Sequence, residues 1–266
     1  MRQSAARRRS IFRHRQRAKE RTMNVRRAHM VSKGYLRAWA DSRNSVDVID
    51  LQDSRGFKTS VESATVVSYV YDPEVLTVDL EGHFSQVESA GTAALVKLRE
   101  ETPITQDEQR DVVAFLNMHL ERGRYADQAK ITTPALLIKT NGSSEEANLK
   151  LGDRLLLSRN MEGVLDLRKL TLEEWPWRVY EAVNLVTGDG AVLLWRETKD
   201  SELCSITFPL SPTLMLVIGQ EVDLQLPFNE LVVSKSRRWL VASVGMLTRD
   251  PERIAAARNA QPLGAG

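Results

Sequence analysis

A single cysteine, Cys204, stands in a chain of 266 residues, so no internal disulfide can form. One thiol in a chain of this length suits a reducing compartment better than secretion, and we expect a cytoplasmic protein. Long apolar runs are also missing. No stretch approaches the roughly 20 residues a membrane-spanning helix needs, and the basic start lacks the apolar segment of a signal peptide, so no membrane contact is expected. The four histidines, His14, His29, His83 and His119, show no ligand spacing, and one cysteine cannot build a zinc site. We expect no structural metal, and the sequence names no cofactor. Gly188 and Gly190 lead into neither a Lys-Ser/Thr pair nor a helical pattern, so they make no phosphate cradle. Ser211 sits between prolines without a Gly-x-Ser-x-Gly elbow, which leaves a serine hydrolase unsupported.

What is present is a globular composition, 42% hydrophobic and 27% charged, enough for a sizeable core. The net charge of +2 hides an asymmetry: residues 1–22 carry nine Lys or Arg against Glu20 alone, a local +8, which leaves −6 for the rest. Such an arm can bind nucleic acid through phosphate neutralisation, or it is a solvated, disordered tail. A third reading starts the chain at Met23, with the arm an artefact of start-site choice.

His29-Met30-Val31-Ser32-Lys33-Gly34-Tyr35-Leu36-Arg37-Ala38-Trp39 is the first point where polar chemistry meets core-forming residues. A short helix there lays Tyr35, Leu36 and Trp39 on one face, with His29 at its mouth. Val46 to Leu51, the turn Ser54-Arg55-Gly56 and Phe57 to Thr59 read as a hairpin, and Val66 to Tyr71 as a third strand of a small N-terminal sheet. Apolar positions from Phe84 to Leu98 recur at helical spacing. Thr105-Gln106-Asp107-Glu108 is a capping box opening a second helix that Gly123 would stop. These two form a helical hairpin laid on the sheet. His83 is assigned to a turn, and Thr133-Pro134 to the start of a short helix through Ile138. Asn141 to Glu146 is a loop and a soft internal boundary. Short β-like runs follow at Trp177–Val183, Asn184–Thr187, Ala191–Trp195, Leu203–Phe208 and Leu214–Ile218. A last helix spans Phe228 to Arg238, a strand Trp239 to Ala242, and residues 250–266 a flexible tail. The expected fold is α+β: antiparallel β-rich N- and C-terminal parts packed with a central helical hairpin, one domain over residues 23–249.

Several of these stretches resemble the bacterial and phage-borne family called domain of unknown function four-two-three-eight. Its members open with His-x-Val-Pro-x-x-Tyr-Leu-x-x-Phe, matched here by His29 to Trp39. The likeness continues through Phe84-Ser85-Gln86-Val87-Glu88 and the helix ending near Arg122. It resumes at Val186 to Val192 and at Phe208-Pro209-Leu210-Ser211-Pro212. Ser32 and Ala191 stand where the family has proline. The resemblance implies no settled activity.

His29 can act as a general acid or base, since its ordinary pKa of about 6.5 lies near working pH, or it is a satisfied structural residue. His119, on an apolar helix face, reads as core. Asp189 sits between two strand-like runs, either a loop-borne catalytic acid or the Asp-Gly of a tight turn. Glu197-Thr198-Lys199 beyond it is reminiscent of Mg²⁺-dependent nucleases and reads equally as a polar hairpin loop. The leading expectation is an enzyme acting on nucleic acid or another phosphate-containing substrate. It has His29 and Asp189 as catalytic residues in one pocket, and Tyr35, Arg122 and Arg238 binding substrate. The alternative is a non-catalytic module of a mobile element or phage-defence system, binding nucleic acid through residues 1–22 or a protein partner.

Overall fold

The computed structural model describes residues 27–68, 80–159, 161 and 163–259. The basic arm with His14 and Met23, the end of the expected third strand at residues 69–71, and residues 260–266 lie outside that set.

Among the described residues the fold is α+β, with six helices and twelve strands whose pairings are all antiparallel. Strand β1 (Arg27–His29) pairs with β4 (Val66–Ser68). Between them run the short helix α1 (Lys33–Leu36), a 3-10 turn over Arg37–Trp39, and the hairpin β2 (Ser45–Asp50) and β3 (Arg55–Ser60). The hairpin is where the sequence puts it, but it is not part of a separate N-terminal sheet. β2 also pairs with β12 (Trp239–Ala242), which pairs with β8 (Thr187–Gly188), giving the order β3-β2-β12-β8. Every residue of β2 from Val46 to Asp50 is buried, a degree of enclosure that an isolated two-stranded ribbon does not reach.

The second four-stranded sheet has the order β7-β11-β10-β9, from β7 (Trp177–Glu181), β9 (Leu193–Arg196), β10 (Leu203–Ser211) and β11 (Leu214–Gly219). Helices α2 (Leu80–Arg99) and α3 (Gln106–Gly123) pack on each other as the central hairpin. The capping box at Thr105 forms: its hydroxyl accepts from the Glu108 amide, and Glu108 accepts from the Thr105 amide at 2.9 Å. Gly91 of α2 lies so close to Phe115 of α3 that a Cβ there would collide with it.

Four local expectations are corrected. Residues 133–138 form strand β5 (Thr133–Ile138), paired with β6 (Ser144–Leu149) around the Asn141-Gly142 turn. The alternation of exposed and half-buried positions along β5 has the two-residue period of a strand. His83 lies within α2. Helix α5 (Phe228–Lys235) stops before Arg238, because residues 237 and 238 turn toward Asp189, as described below. Residues 251–259 form helix α6 (Pro251–Asn259). There the Asp250 carboxylate accepts from the Glu252 amide at 3.0 Å and Ile254 is buried near Gly56 of β3. A further helix, α4 (Leu151–Ser158), has no counterpart in the sequence reading.

One buried apolar cluster runs from Ala28 to Ile254. At its aromatic centre Tyr35 stacks on Phe208 of β10 at 4.7 Å and meets Trp39 edge-on at 4.9 Å, with Phe115 and His119 of α3 around it. The face expected of the His29-to-Trp39 stretch is therefore the packed side of a corner on which the helical hairpin and both sheets converge.

Candidate functional site

β1 ends at His29, opposite Val66 of β4. Just past it, the Thr65 hydroxyl accepts from the Val31 amide and donates to the Val31 carbonyl, which fixes the chain that follows the histidine. The imidazole is half-buried. Its Nδ1 lies 3.1 Å from the Ala64 carbonyl oxygen. A carbonyl only accepts, so Nδ1 carries the proton and Nε2 of the neutral ring has a free lone pair. Burial holds the His29 pKa below its ordinary value. The Ala64 carbonyl and Glu88 work against that shift, while Lys33 and Arg122 add to it. At neutral pH the ring is uncharged and able to accept a proton.

The helical hairpin supplies the charged groups near that ring. Glu88 of α2 pairs with Arg122 in the last turn of α3. The Arg122 guanidinium sits 4.4 Å above the Phe84 ring, and Arg159, just beyond α4, lies 5.4 Å from the same ring. Arg159 is bound by Glu121 at 2.8 Å. Glu121 in turn accepts from the Asn117 side chain at 3.1 Å, and Asn117 receives the Leu167 amide at 2.9 Å. A network of alternating charge thus lines one side of the corner, and each buried ion has an opposite partner or hydrogen bond. Of these residues the sequence reading picked out only Arg122. The available signal was Asn117, His119, Glu121 and Arg122, four polar positions that follow the apolar run Val112 to Leu116 of the helix, with 117 and 121 one turn apart.

The other expected site residues lie elsewhere. Tyr35 is fully buried, and its hydroxyl is committed to Thr187 and Pro209 at 2.7 Å each. Asp189 is not an exposed hairpin tip. It is buried, its two carboxylate oxygens accept from the Arg237 and Arg238 amides at 3.0 Å, and its own amide donates to Trp239 at 3.1 Å. Burial raises its pKa to about 7 against the pull of those amides. The Arg238 guanidinium turns away to a buried pair with Asp50 at 2.9 Å and lies 4.4 Å from the Trp239 ring. Arg238 therefore meets Asp189 through its backbone alone. No hydrogen bond or ion pair joins His29 to Asp189. What links the two halves is Gly123, the residue after Arg122, on which the Asp189 carbonyl packs so tightly that any Cβ would collide. That contact, and not a left-handed backbone, is what requires glycine at the last position of α3, and the following Arg124 is right-handed. His119 is in the core, as its helix face implies. Its Nε2 donates to the Gly188 carbonyl at 2.8 Å, and burial lowers its pKa to about 4.

Glu197 lines a cleft of about 530 Å³ with Trp175, Arg178, Glu202, Cys204 and Glu221. Asp189 is not among its walls, so the acid and the Glu-x-Lys stretch do not assemble. Among the described residues no group of three or more His, Cys, Asp or Glu side chains is placed to hold a metal ion, and no helix is long and apolar enough to cross a membrane.

The sequence model of the family described as Protein of unknown function (DUF4238) matches residues 27–225, well over half of the chain. No curated protein and no solved structure matches it.

Proposed function

We propose a function from the premise that the chain belongs to the DUF4238 family of proteins of unknown function: it is an enzyme acting on a phosphate-containing substrate, nucleic acid included, with His29 as the proton-transfer group. One observation carries the reading. His29 combines an Nδ1 pinned by a backbone carbonyl, an Nε2 with no hydrogen-bond partner among the described residues, and a pKa kept low by burial, which is the state of a general base at neutral pH. Beside it the exposed Lys33 offers a cation to an anionic group, while Arg122 is buried and paired with Glu88. Asp189 enters as a positioning residue: it packs on Gly123 and so sets the end of α3 that carries Arg122.

The test is turnover of single- and double-stranded DNA, RNA and a phosphomonoester by the full chain, with and without divalent cations. The expected result is turnover of at least one class, with His29→Ala reducing it by roughly 100-fold or more at unchanged melting temperature. Turnover that survives His29→Ala, or its absence on every class, overturns the reading.

A further inference from the structure

Among the described residues, the ribbon of β5 and β6 stands apart from both four-stranded sheets as a sheet of two strands with two open edges. Of the ten large apolar side chains exposed among the described residues, five lie between residues 131 and 161, with Leu136 at 61% and Ile138 at 77% the two on β5. That concentration marks the ribbon as an interaction surface, since exposed edges and apolar patches are features that folds otherwise suppress.

The ladder shows what the free edge of β5 offers. At the turn, the Lys139 amide donates to the Ser143 carbonyl at 2.8 Å, so odd-numbered residues of β5 point their amides and carbonyls at β6. The amides and carbonyls of Leu136 and Ile138 therefore point outward, with no third strand among the described residues to receive them. Pro134 has the same outward phase, where its missing N–H removes no ladder bond. The side chains of Leu136 and Ile138 share one face, and their partners across the ribbon, Glu146 and Ser144, are exposed as well.

We propose that β5 is the contact through which a second copy of this chain docks, antiparallel and edge to edge about a two-fold axis. Charge selects both the strand and the partner. Thr133 to Ile138 carries no charged residue, so a copy set against itself opposes no like charges, whereas β6 would bring Glu145 and Glu146 against their own copies. One register uses every outward group of Leu136 and Ile138: Leu136 opposite Ile138 of the second copy, and the reverse. It forms four N–H···O bonds, asks nothing of Pro134, and gathers four apolar side chains on one face of the new four-stranded sheet.

Sedimentation equilibrium of the full chain over a wide concentration range tests this. The expected result is a monomer–dimer equilibrium that Ile138→Lys and Leu136→Lys each weaken by roughly tenfold or more, because both place like charges across the seam. Both side chains are exposed, so melting temperature measured at a concentration where the wild type is monomeric should not move, and Glu146→Lys on the opposite strand should leave the equilibrium unchanged. A protein that stays monomeric throughout, or a dimer indifferent to Ile138→Lys and Leu136→Lys, overturns the proposal.

Discussion

The Tyr35 hydroxyl donates to the Pro209 carbonyl 2.7 Å away, joining α1 to β10 of the second sheet. A phenol has one proton, so the 2.7 Å contact with Thr187 of β8 must be donated by the threonine hydroxyl. One side chain thus ties the N-terminal corner to both sheets at once.

Tyr35→Phe keeps the ring stack on Phe208 and removes only the hydroxyl, leaving the Pro209 carbonyl and the Thr187 hydroxyl buried without it. Each unmet group costs about 1–3 kcal/mol, so a loss of roughly that size is expected in urea unfolding. Thr187→Val should cost less in the Tyr35→Phe background than in the wild type, since its partner is already gone. Additive losses would mean that the two hydroxyls do not share this bond.

Gly123→Ala tests the contact between α3 and Asp189. In a right-handed helix alanine is ordinarily the better residue, and by propensity the change would stabilise by up to about 1 kcal/mol. Here the added methyl meets the Asp189 carbonyl oxygen, a backbone atom that cannot swing aside. We expect destabilisation of roughly 3 kcal/mol or more. A neutral or stabilising outcome in thermal unfolding would remove this contact from the account.

The same residue shows what the sequence made legible. A glycine at the end of a periodic apolar stretch signals where a helix stops, and α3 does end there. The signal does not say why, because the atom that excludes a side chain belongs to a residue far along the chain. Period-based elements came through well: the capping box, α2, α3, β2, β3 and β12 are near where their patterns put them. β5 did not, since Thr-Pro at its start imitates a helix opening and its pairing with β6 is a tertiary choice. The position of His29 at the entrance of the packed corner was legible from the apolar turn that follows it. Its neighbour Glu88 was not, because α2 and α3 bring it to Arg122 only after packing.

His29 should report on that packing. Glu88 raises its pKa and Lys33 lowers it, on top of the larger lowering by burial. Glu88→Gln should therefore move the His29 titration, followed by NMR, to lower pH, and Lys33→Met should move it to higher pH. Shifts of the same sign in both variants would contradict the arrangement of charges around the ring.

His119 gives a pH dependence of stability. Its folded-state pKa of about 4 lies below its ordinary value of 6.5, so the unfolded chain takes up a proton before the folded one does. The stability it contributes is complete above about pH 6.5 and is lost as pH falls toward about 4, by as much as roughly 3 kcal/mol. In His119→Gln that component should vanish from unfolding free energies measured across the window. Retention of the full slope would assign it to another group.

Asp189 works in the opposite direction, and its sign separates it from His119. Burial raises its pKa from an ordinary 3.8 to about 7, so the folded chain keeps a proton that the unfolded chain has already released. The fold is favoured most below about pH 4. It weakens as pH rises to about 7 and levels off beyond, with an upper bound of roughly 4 kcal/mol. The two backbone amides of Arg237 and Arg238 temper this, since each donates to one oxygen of the charged form. Asp189→Asn does not titrate and retains one acceptor oxygen, so it loses one of those amide bonds at every pH. The variant should therefore be the less stable protein near pH 4, and its deficit should shrink, or reverse, by pH 7 to 8 as the wild type takes on the buried charge. A deficit that stays constant across that range would show that Asp189 is ionised throughout. Its amide contacts would then outweigh the desolvation of the carboxylate.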